Sequence, residues 1–142
     1  MNVSHILAQK GRHIEAVSPD LTISEAILLL ASKRIGAVIV LHNNGGLAGI
    51  LSERDIVRAL VAGARALEDR VRDHMTERVI TCTSDTSVAD VMDLMTRGRF
   101  RHVPVMDGGQ MVGIVSIGDI VKHRLADIEA EKTAIIAYIA AG

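Results

Sequence analysis

The chain has 142 residues, of which 49% are hydrophobic and 23% are charged, a balance that supports a packed core and excludes a disordered chain. Its formal net charge of -1 gives no general attraction to nucleic acid or anionic lipid, and Phe100 and Tyr138 are its only aromatic residues, so the usual platforms for stacking bases are missing. The length fits one compact domain or two small, interdependent units.

The cysteine, the histidines and the apolar stretches of the chain bear on its cellular location and on metal binding. Cys82 is the single cysteine; it has no partner for a disulfide or a metal site, and we interpret it as a small buried hydrophobe. The segment from Met1 to His13 lacks the apolar core of a signal peptide, and no stretch approaches the roughly 20 apolar residues of a membrane span. The six histidines are scattered without ligand spacing. These features predict a cytoplasmic protein without a metal site or membrane contact.

In chain order, the first predicted element is a short strand near Ile14 to Val17. A helix follows, because Thr22 to Glu25 form an N-cap pattern with an acidic residue three places on. Two apolar runs, Ala37 to Leu41 and Leu47 to Leu51, flank turn-forming Asn and Gly residues and predict a β-hairpin. A second helix is predicted to start at Ser52.

The second half of the chain shows the same order of signals. A strand is predicted near Val79 to Thr81, and a capped helix begins at Ser87. Two apolar runs, Val103 to Met106 and Met111 to Val115, flank an Asp-Gly-Gly turn and predict a second hairpin. Another helix is predicted to start at Ser116.

These two halves are an internal repeat. Residues 17–44 align with residues 82–109, and GILSERDIV at Gly49–Val57 aligns with GIVSIGDIV at Gly113–Val121. The pattern predicts a mixed α/β (α+β) fold in which the order β-α-β-β-α occurs twice.

The repeat also predicts domain organisation. We assign the first repeat to residues 11–65, the second to residues 74–125 and a C-terminal helix to residues 126–142. Because a unit of about 60 residues buries too little surface alone, we expect the repeats to pack about a pseudo-two-fold axis, with two related ligand clefts between them.

The tail from Val121 to Ala141 is predicted to be a long helix with one apolar seam. Lys132 interrupts this seam. The helix either packs on its own domain or contacts a second copy of the chain, and a stripe of this length without a further repeat to cover it favours the dimer contact. The apolar seam residues are Val121, Leu125, Ile128, Ile135 and Ile139.

Matching Ser and Asp residues stand at two of the predicted helix starts, Ser52 with Asp55 and Ser116 with Asp119. One interpretation is a capping box, in which Ser caps backbone N–H groups and Asp complements the helix dipole. The other is a ligand site, because a helix start suits an anion and a carboxylate one turn inside accepts hydrogen bonds from ribose hydroxyls. The two interpretations are compatible.

Basic residues distinguish the repeats. Arg101 and His102 occupy the positions that Gly36 and Ala37 occupy in the first repeat. They either form solvated surface charge or contact a phosphate beside the capped helix. Arg54, inside the first Ser/Asp motif, is a further candidate.

The paired Gly-Ile-Leu/Val-Ser-x-x-Asp-Ile-Val segments, the Arg-His-Val-Pro-Val strand and the lead His74-Met75-Thr76 resemble tandem CBS domains of the small stand-alone bacterial kind. The likeness covers roughly Gly11 to Arg124. It implies a disc-like intramolecular pair that binds AMP, ATP, NAD or related adenosyl ligands as regulators.

Carried over position by position, the resemblance implies two unequal sites. Asp119 and Asp55 would hold ribose hydroxyls. Ile39 stands where the second repeat has Pro104, and the first site lacks the basic pair, so equal occupancy is not expected. The remaining second-repeat residues are Ser116 near ribose or phosphate, Arg101 and His102 near phosphate, and Val79, Thr81, Phe100 and Pro104 near adenine. The remaining first-repeat residues are Ser52, Arg54, Ile14, Gly36 and Ala37.

No known catalytic signature accompanies these motifs, whether a nucleophile elbow, a zinc-protease helix, a Cys-x-x-Cys pair or a phosphate loop, so the sequence predicts no enzyme and no catalytic cofactor. The leading hypothesis is a homodimer that senses energy or redox state through an adenine nucleotide and acts on an unknown protein target. The alternatives are a dimerisation or scaffolding module with degenerate clefts, and an enzyme of an unrecognised kind.

Overall fold

A computed structural model describes residues 1–141 and divides the chain into two compact units. The first unit is His13–Ile80. The second unit combines Met1–Arg12 with the chain from Thr81 onward. It begins with α1 (Val3–Lys10), so the N-terminal helix belongs with the second repeat, although it precedes the first.

The first unit has the predicted order of strand, helix, hairpin and helix, followed by a 3-10 helix and a further short helix that the sequence patterns did not predict. The Thr22 hydroxyl accepts a hydrogen bond from the Glu25 N–H at 3.1 Å and caps the first long helix, whose apolar face packs on a three-stranded sheet. The outer strand is short and parallel to its neighbour, and the other two strands form an antiparallel hairpin. The elements are β1 (Ala16–Val17), α2 (Ile23–Lys33), β2 (Ala37–Leu41), β3 (Leu47–Ser52), α3 (Glu53–Leu60), a 3-10 helix (Ala64–Glu68) and α4 (Val71–His74).

Along the described chain, the second unit repeats the order of helix, hairpin and helix around a two-stranded antiparallel sheet, without a strand equivalent to the short first strand of the other unit. Ser87 caps its first long helix by accepting from the Asp90 N–H at 3.0 Å. The last helix continues without a break from the repeat into the predicted tail. The elements are α5 (Val88–Gly98), β4 (His102–Asp107), β5 (Gln110–Ser116) and α6 (Ile117–Ala141).

The predicted strand at Val79 to Thr81 is wrong. Parallel pairing in the second unit is a single bridge between Cys82 and Val105, the counterpart of the β1–β2 pairing in the first unit. The chain turns away directly afterwards, because the Ser84 N–H donates to the Asp107 carboxylate at 3.0 Å.

Cys82 lies in the core of the second unit, 6% exposed, which confirms its interpretation as a buried hydrophobe. Burial first, and the negative charge of Asp107 second, raise the pKa of the Cys82 thiol to about 11. The thiol is therefore protonated at neutral pH and a poor nucleophile.

A segment from outside the hairpin packs closely on it at a glycine in each unit. In the first unit, a Cβ on Gly49 would lie 2.5 Å from the Thr76 carbonyl oxygen and 3.2 Å from the Met75 sulfur. In the second unit, a Cβ on Gly113 would lie 2.6 Å from Leu7 Cδ2. Gly49 thus allows the residues just after α4 to approach β3 closely, and Gly113 allows α1 to approach β5 in the same way.

Within residues 1–141, no helix combines the length and the apolar content that a membrane crossing requires. The longest helix, α6, has 25 residues, but charged residues recur along it.

Candidate functional site

The second-unit Ser/Asp motif forms a reciprocal cap where β5 passes into α6. The Ser116 N–H donates to Asp119 Oδ2 at 2.8 Å, and the Asp119 N–H donates to Ser116 Oγ at 3.1 Å. The capping-box interpretation is therefore confirmed here. The Asp119 side chain remains 23% exposed, so a solute can reach this carboxylate.

A lysine from α1 already contacts this carboxylate. Lys10 Nζ lies 2.6 Å from Asp119 Oδ2 and also donates to the Ile114 carbonyl oxygen at 2.8 Å. Burial raises the pKa of Asp119, but the hydrogen bonds from Lys10 and Ser116 and the charge of Lys10 together outweigh it and hold the pKa below its usual value. The group at this helix start is thus a carboxylate at neutral pH.

The basic pair lies beside this cap. His102 is the register partner of Ser116 across the β4–β5 hairpin, and the Arg101 carbonyl oxygen accepts from the Ile117 N–H at 2.8 Å. Arg101 is exposed and His102 is half-buried. The backbone of Arg101 and His102 therefore lies at the same end of the hairpin as the Ser116 and Asp119 cap.

The other predicted second-repeat residues lie farther along the same strand or before it. Pro104 is buried, and its carbonyl oxygen accepts from the Cys82 N–H at 3.0 Å, next to Thr81. The Phe100 ring is partly buried over Gly98 and packs against the core. Val79 belongs to the first unit and is not among the residues that the second unit brings together.

The first-unit Ser/Asp motif has the same cap but a different environment. The Ser52 N–H donates to Asp55 Oδ2 at 3.0 Å, and the Asp55 N–H donates to Ser52 Oγ at 3.3 Å. The Thr76 hydroxyl donates to Asp55 Oδ1 at 3.2 Å. Asp55 is only 6% exposed, so its carboxylate is enclosed by partners from its own unit.

The strand residues beside this cap do not supply positive charge. Ala37 is the register partner of Ser52, and the Gly36 carbonyl oxygen accepts from the Glu53 N–H at 3.0 Å. A Cβ on Gly36 would lie 3.7 Å from the Glu53 carboxyl carbon, so an acidic group covers the position equivalent to Arg101.

Two further predicted residues lie at the edges of the first unit. Arg54 is exposed at the start of α3, and Ile14 is half-buried two residues before β1. Neither joins the hydrogen-bonded cluster at the cap.

Sequence reasoning missed three residues at these sites. Glu53 was visible as the acidic neighbour of Ser52, where the second motif has Ile117. Lys10 gave no signal, because α1 precedes the first repeat and packs on the hairpin of the second. Thr76 was visible only as part of the His74-Met75-Thr76 lead, which gave no indication that its hydroxyl binds Asp55.

Comparison with known families gives two matches along this chain. Residues 4–62 and residues 71–126 each match the model of the CBS domain. The mitochondrial CBS domain-containing protein CBSX3 of Arabidopsis thaliana is 34% identical over 149 residues, which cover 99% of this chain and 72% of that protein. The crystal structure of the CBS-domain protein ATU1752 from Agrobacterium tumefaciens has 44% sequence identity and a TM-score of 0.85, over 87% of this chain and 92% of that one.

Two other similar structures contain ligands. The CBS domain pair of protein MJ0100 is in complex with 5′-methylthioadenosine and S-adenosyl-L-methionine; it has 27% identity and a TM-score of 0.79, over 89% of this chain and 98% of that one. CBSX2 is in complex with AMP; it has 25% identity and a TM-score of 0.74, over 88% of this chain and 96% of that one. Adenine joined to a ribose is common to all three ligands.

Proposed function

The chain belongs to the CBS-domain family, with two such domains in its sequence, and on this premise we propose that it is a regulatory module whose second unit binds an adenosine-containing ligand at the start of α6. AMP, ATP and NAD are the candidate ligands, and the module senses energy or redox state in the cytoplasm on behalf of a protein target. Binding alters a target only if the ligand prefers one of two conformational states.

One observation carries this proposal: an accessible carboxylate and a basic pair lie at the same helix start. Asp119 is ionised and 23% exposed, which suits it to accept hydrogen bonds from two vicinal ribose hydroxyls. Arg101 is exposed and its backbone is bound to that of Ile117 at the hairpin end, so we propose that its guanidinium binds a phosphate there. Ser116 lies between the carboxylate and the basic pair, because its backbone pairs with His102 across the hairpin and its hydroxyl accepts from the Asp119 N–H.

The ligands of the similar structures support the same chemistry. They share adenosine and differ at the 5′ position, where AMP carries a phosphate and the other two carry a sulfur group. We propose that adenosine recognition is common to the family site, and that Arg101 and His102 bias this chain toward a 5′-phosphate.

Isothermal titration calorimetry with AMP, ATP, NAD and S-adenosylmethionine tests the proposal. Asp119→Ala should weaken binding of the best ligand at least tenfold, because a hydrogen bond to a charged group contributes about 1.5 to 3 kcal/mol. Asp90→Ala is the matched control, since Asp90 stands three residues after the cap Ser87 at the start of α5. It removes a helix-start carboxylate outside the proposed site and should leave the affinity unchanged.

The variant Asp55→Ala tests whether the first-unit motif has a structural role or a binding role. Because Asp55 is enclosed and already holds Ser52 and Thr76, we expect this substitution to lower stability more than affinity. No binding of any of the four ligands to the unmutated protein would refute the proposed function. If the Asp119 and Asp90 variants lose affinity equally, the loss comes from removing a helix-capping carboxylate and not from a contact between Asp119 and the ligand.

A second candidate function is a scaffolding module whose sites no longer bind ligand. The observation that favours it is that both carboxylates have protein partners, Lys10 on Asp119 and Thr76 on Asp55. The scaffolding module predicts no ligand-induced rise in melting temperature at any pH or ligand concentration. Thermal-shift measurements with the same four ligands distinguish the two functions.

A further inference from the structure

The second half of α6 has nothing to pack against within the described chain. Ile120 and His123 are buried and Asp127 is half-buried, but every residue from 128 to 141 is exposed. An isolated helix of fewer than about 15 residues is only marginally stable in water. Residues 128–141 extend a helix that is anchored at its start, but they gain no stability from packing within the described chain.

Five of the eight exposed large apolar residues of α6 follow the heptad spacing of a coiled coil, with alternating steps of four and three along the helix, and Ile117, Ile136 and Tyr138 lie beside this seam. With 100° per residue, this seam is centred about 130° away from the buried face that carries Ile120 and His123, so both faces can be covered together. The apolar members and their exposed fractions are Val121 50%, Leu125 58%, Ile128 44%, Ile135 59% and Ile139 69%, and Lys132 occupies the remaining seam position.

We propose that this seam is the interface for a second copy of the same chain, and that the two α6 helices pair in parallel and in register. Leu125, Lys132 and Ile139 then occupy the a positions of the heptad, and the other three seam residues occupy the d positions. In this register Arg124, at a g position, faces the partner's Glu129 at an e position, and the reverse pair forms by symmetry. This symmetric pair is complementary in charge, whereas Glu131 at the next g position faces an apolar e position.

Lys132 sets the register. In the parallel arrangement its ammonium lies beside the partner's Glu131, which stands at the preceding g position. A single Lys at an a position lowers stability but specifies register and oligomeric state. An antiparallel pair centred on residue 130 would instead place Glu129 against the partner's Glu129 and Glu131 against the partner's Glu131, so it is disfavoured by like charges.

Sedimentation equilibrium of the full chain, from micromolar to millimolar concentration, tests the interface. Ile128→Asp and Ile135→Asp should each raise the dimer dissociation constant at least about 100-fold, because every dimer carries the charge twice in an apolar seam. Thr133→Asp adds the same charge outside the seam and should change the constant less than threefold. A monomer at all concentrations, or a dimer insensitive to both seam variants, would overturn the proposal.

Cysteine cross-linking tests the orientation. Ile128→Cys and Ile135→Cys should each oxidise to a covalent dimer, since a disulfide needs Cα atoms within about 7 Å. Thr133→Cys should not. In the antiparallel pair centred on residue 130, the two copies of residue 135 would be about 15 Å apart along the axis. Cross-linking at 128 without cross-linking at 135 would therefore refute parallel pairing.

Replacing Lys132 tests the same interface without placing a charge in the apolar seam. Lys132→Leu should tighten the association at least tenfold and permit species larger than a dimer, because the residue that specifies oligomeric state is lost. Weaker association in this variant would mean that Lys132 contributes attraction outside a seam, contrary to the heptad assignment. Circular dichroism of each variant checks that both units remain folded.

Discussion

Replacing Lys10 with Gln should raise the affinity of the second unit for adenosine. Lys10 Nζ and a ribose diol compete for the same acceptor, because the ammonium lies 2.6 Å from Asp119 Oδ2. In the wild-type protein the ligand must break this contact before it binds the carboxylate. Gln retains most of the length of the side chain but removes the charge, so the competition weakens while the packing of α1 is kept.

The magnitude follows from the exposure of the pair. The side chains of Lys10 and Asp119 are 32% and 23% exposed, so solvent screens their attraction, and such a pair contributes about 1 kcal/mol. Release of this amount corresponds to roughly fivefold tighter binding of adenosine. The same contact is lost from the free protein, so the melting temperature of the variant should fall by about 2 to 4 °C.

The pH dependence has a defined sign. The pKa of Asp119 is lower in the folded protein than its usual value, so its stabilising contribution is fully present above the usual pKa and is lost as the pH falls through the folded pKa. Lys10→Gln raises the folded pKa. The stability difference between wild type and variant should therefore be largest near neutral pH and vanish once Asp119 is protonated in both.

Calorimetric titration with adenosine and thermal unfolding across pH measure both effects. Lys33→Gln is the matched control, because it removes one positive charge from an exposed pair with Glu15 at 3.9 Å, in the other unit. Unchanged or weaker adenosine binding by Lys10→Gln, with unchanged binding by Lys33→Gln, would refute the competition. A stability difference that persists at acid pH would refute the ion pair as its cause.

Three further predictions concern the packing, the thiol and the basic pair. Gly49→Ala should lower the free energy of unfolding by about 2 to 3 kcal/mol and Gly113→Ala by less, measured by urea denaturation, because the first Cβ meets a backbone carbonyl and the second a flexible side chain. Cys82, with its pKa raised to about 11, should react with a thiol reagent at pH 8 only as fast as the protein unfolds; rapid labelling of the native protein would contradict its burial. Arg101→Ala should remove most of the advantage of AMP over adenosine in calorimetry and leave the affinity for adenosine nearly unchanged; equal affinities of AMP and adenosine in the unmutated protein would exclude a phosphate contact.

Local signals in the sequence were sufficient for most of the fold. The caps at Thr22, Ser87, Ser52 and Ser116 need only a side chain and a backbone N–H three residues on, and each forms at the predicted position. The hairpins follow from turn residues with positive φ between apolar runs, as at Gly45. Such features depend on neighbours in the chain, so periodicity and turn chemistry reveal them.

Contacts between distant segments were not predictable in this way. Lys10 reaches Asp119 because α1 packs on the second repeat, and Thr76 reaches Asp55 because the chain after α4 packs on the first. A periodic pattern describes one face of one element and does not identify its neighbour. The failed strand prediction at Val79 has the same cause, since the parallel bridge depends on where β4 lies relative to Cys82.

The same motif therefore has two physical meanings in this chain. A ligand that takes the carboxylate of Asp55 must reach a side chain that is only 6% exposed, and it must displace the Thr76 hydroxyl at 3.2 Å and the Arg58 guanidinium at 3.7 Å. A ligand that takes Asp119 displaces only the flexible side chain of Lys10, which can follow a phosphate. A buried carboxylate whose hydrogen bonds are already made gains little by exchanging them for those of a ligand, so we expect the Ser/Asp cap to be structural in the first unit and exchangeable in the second.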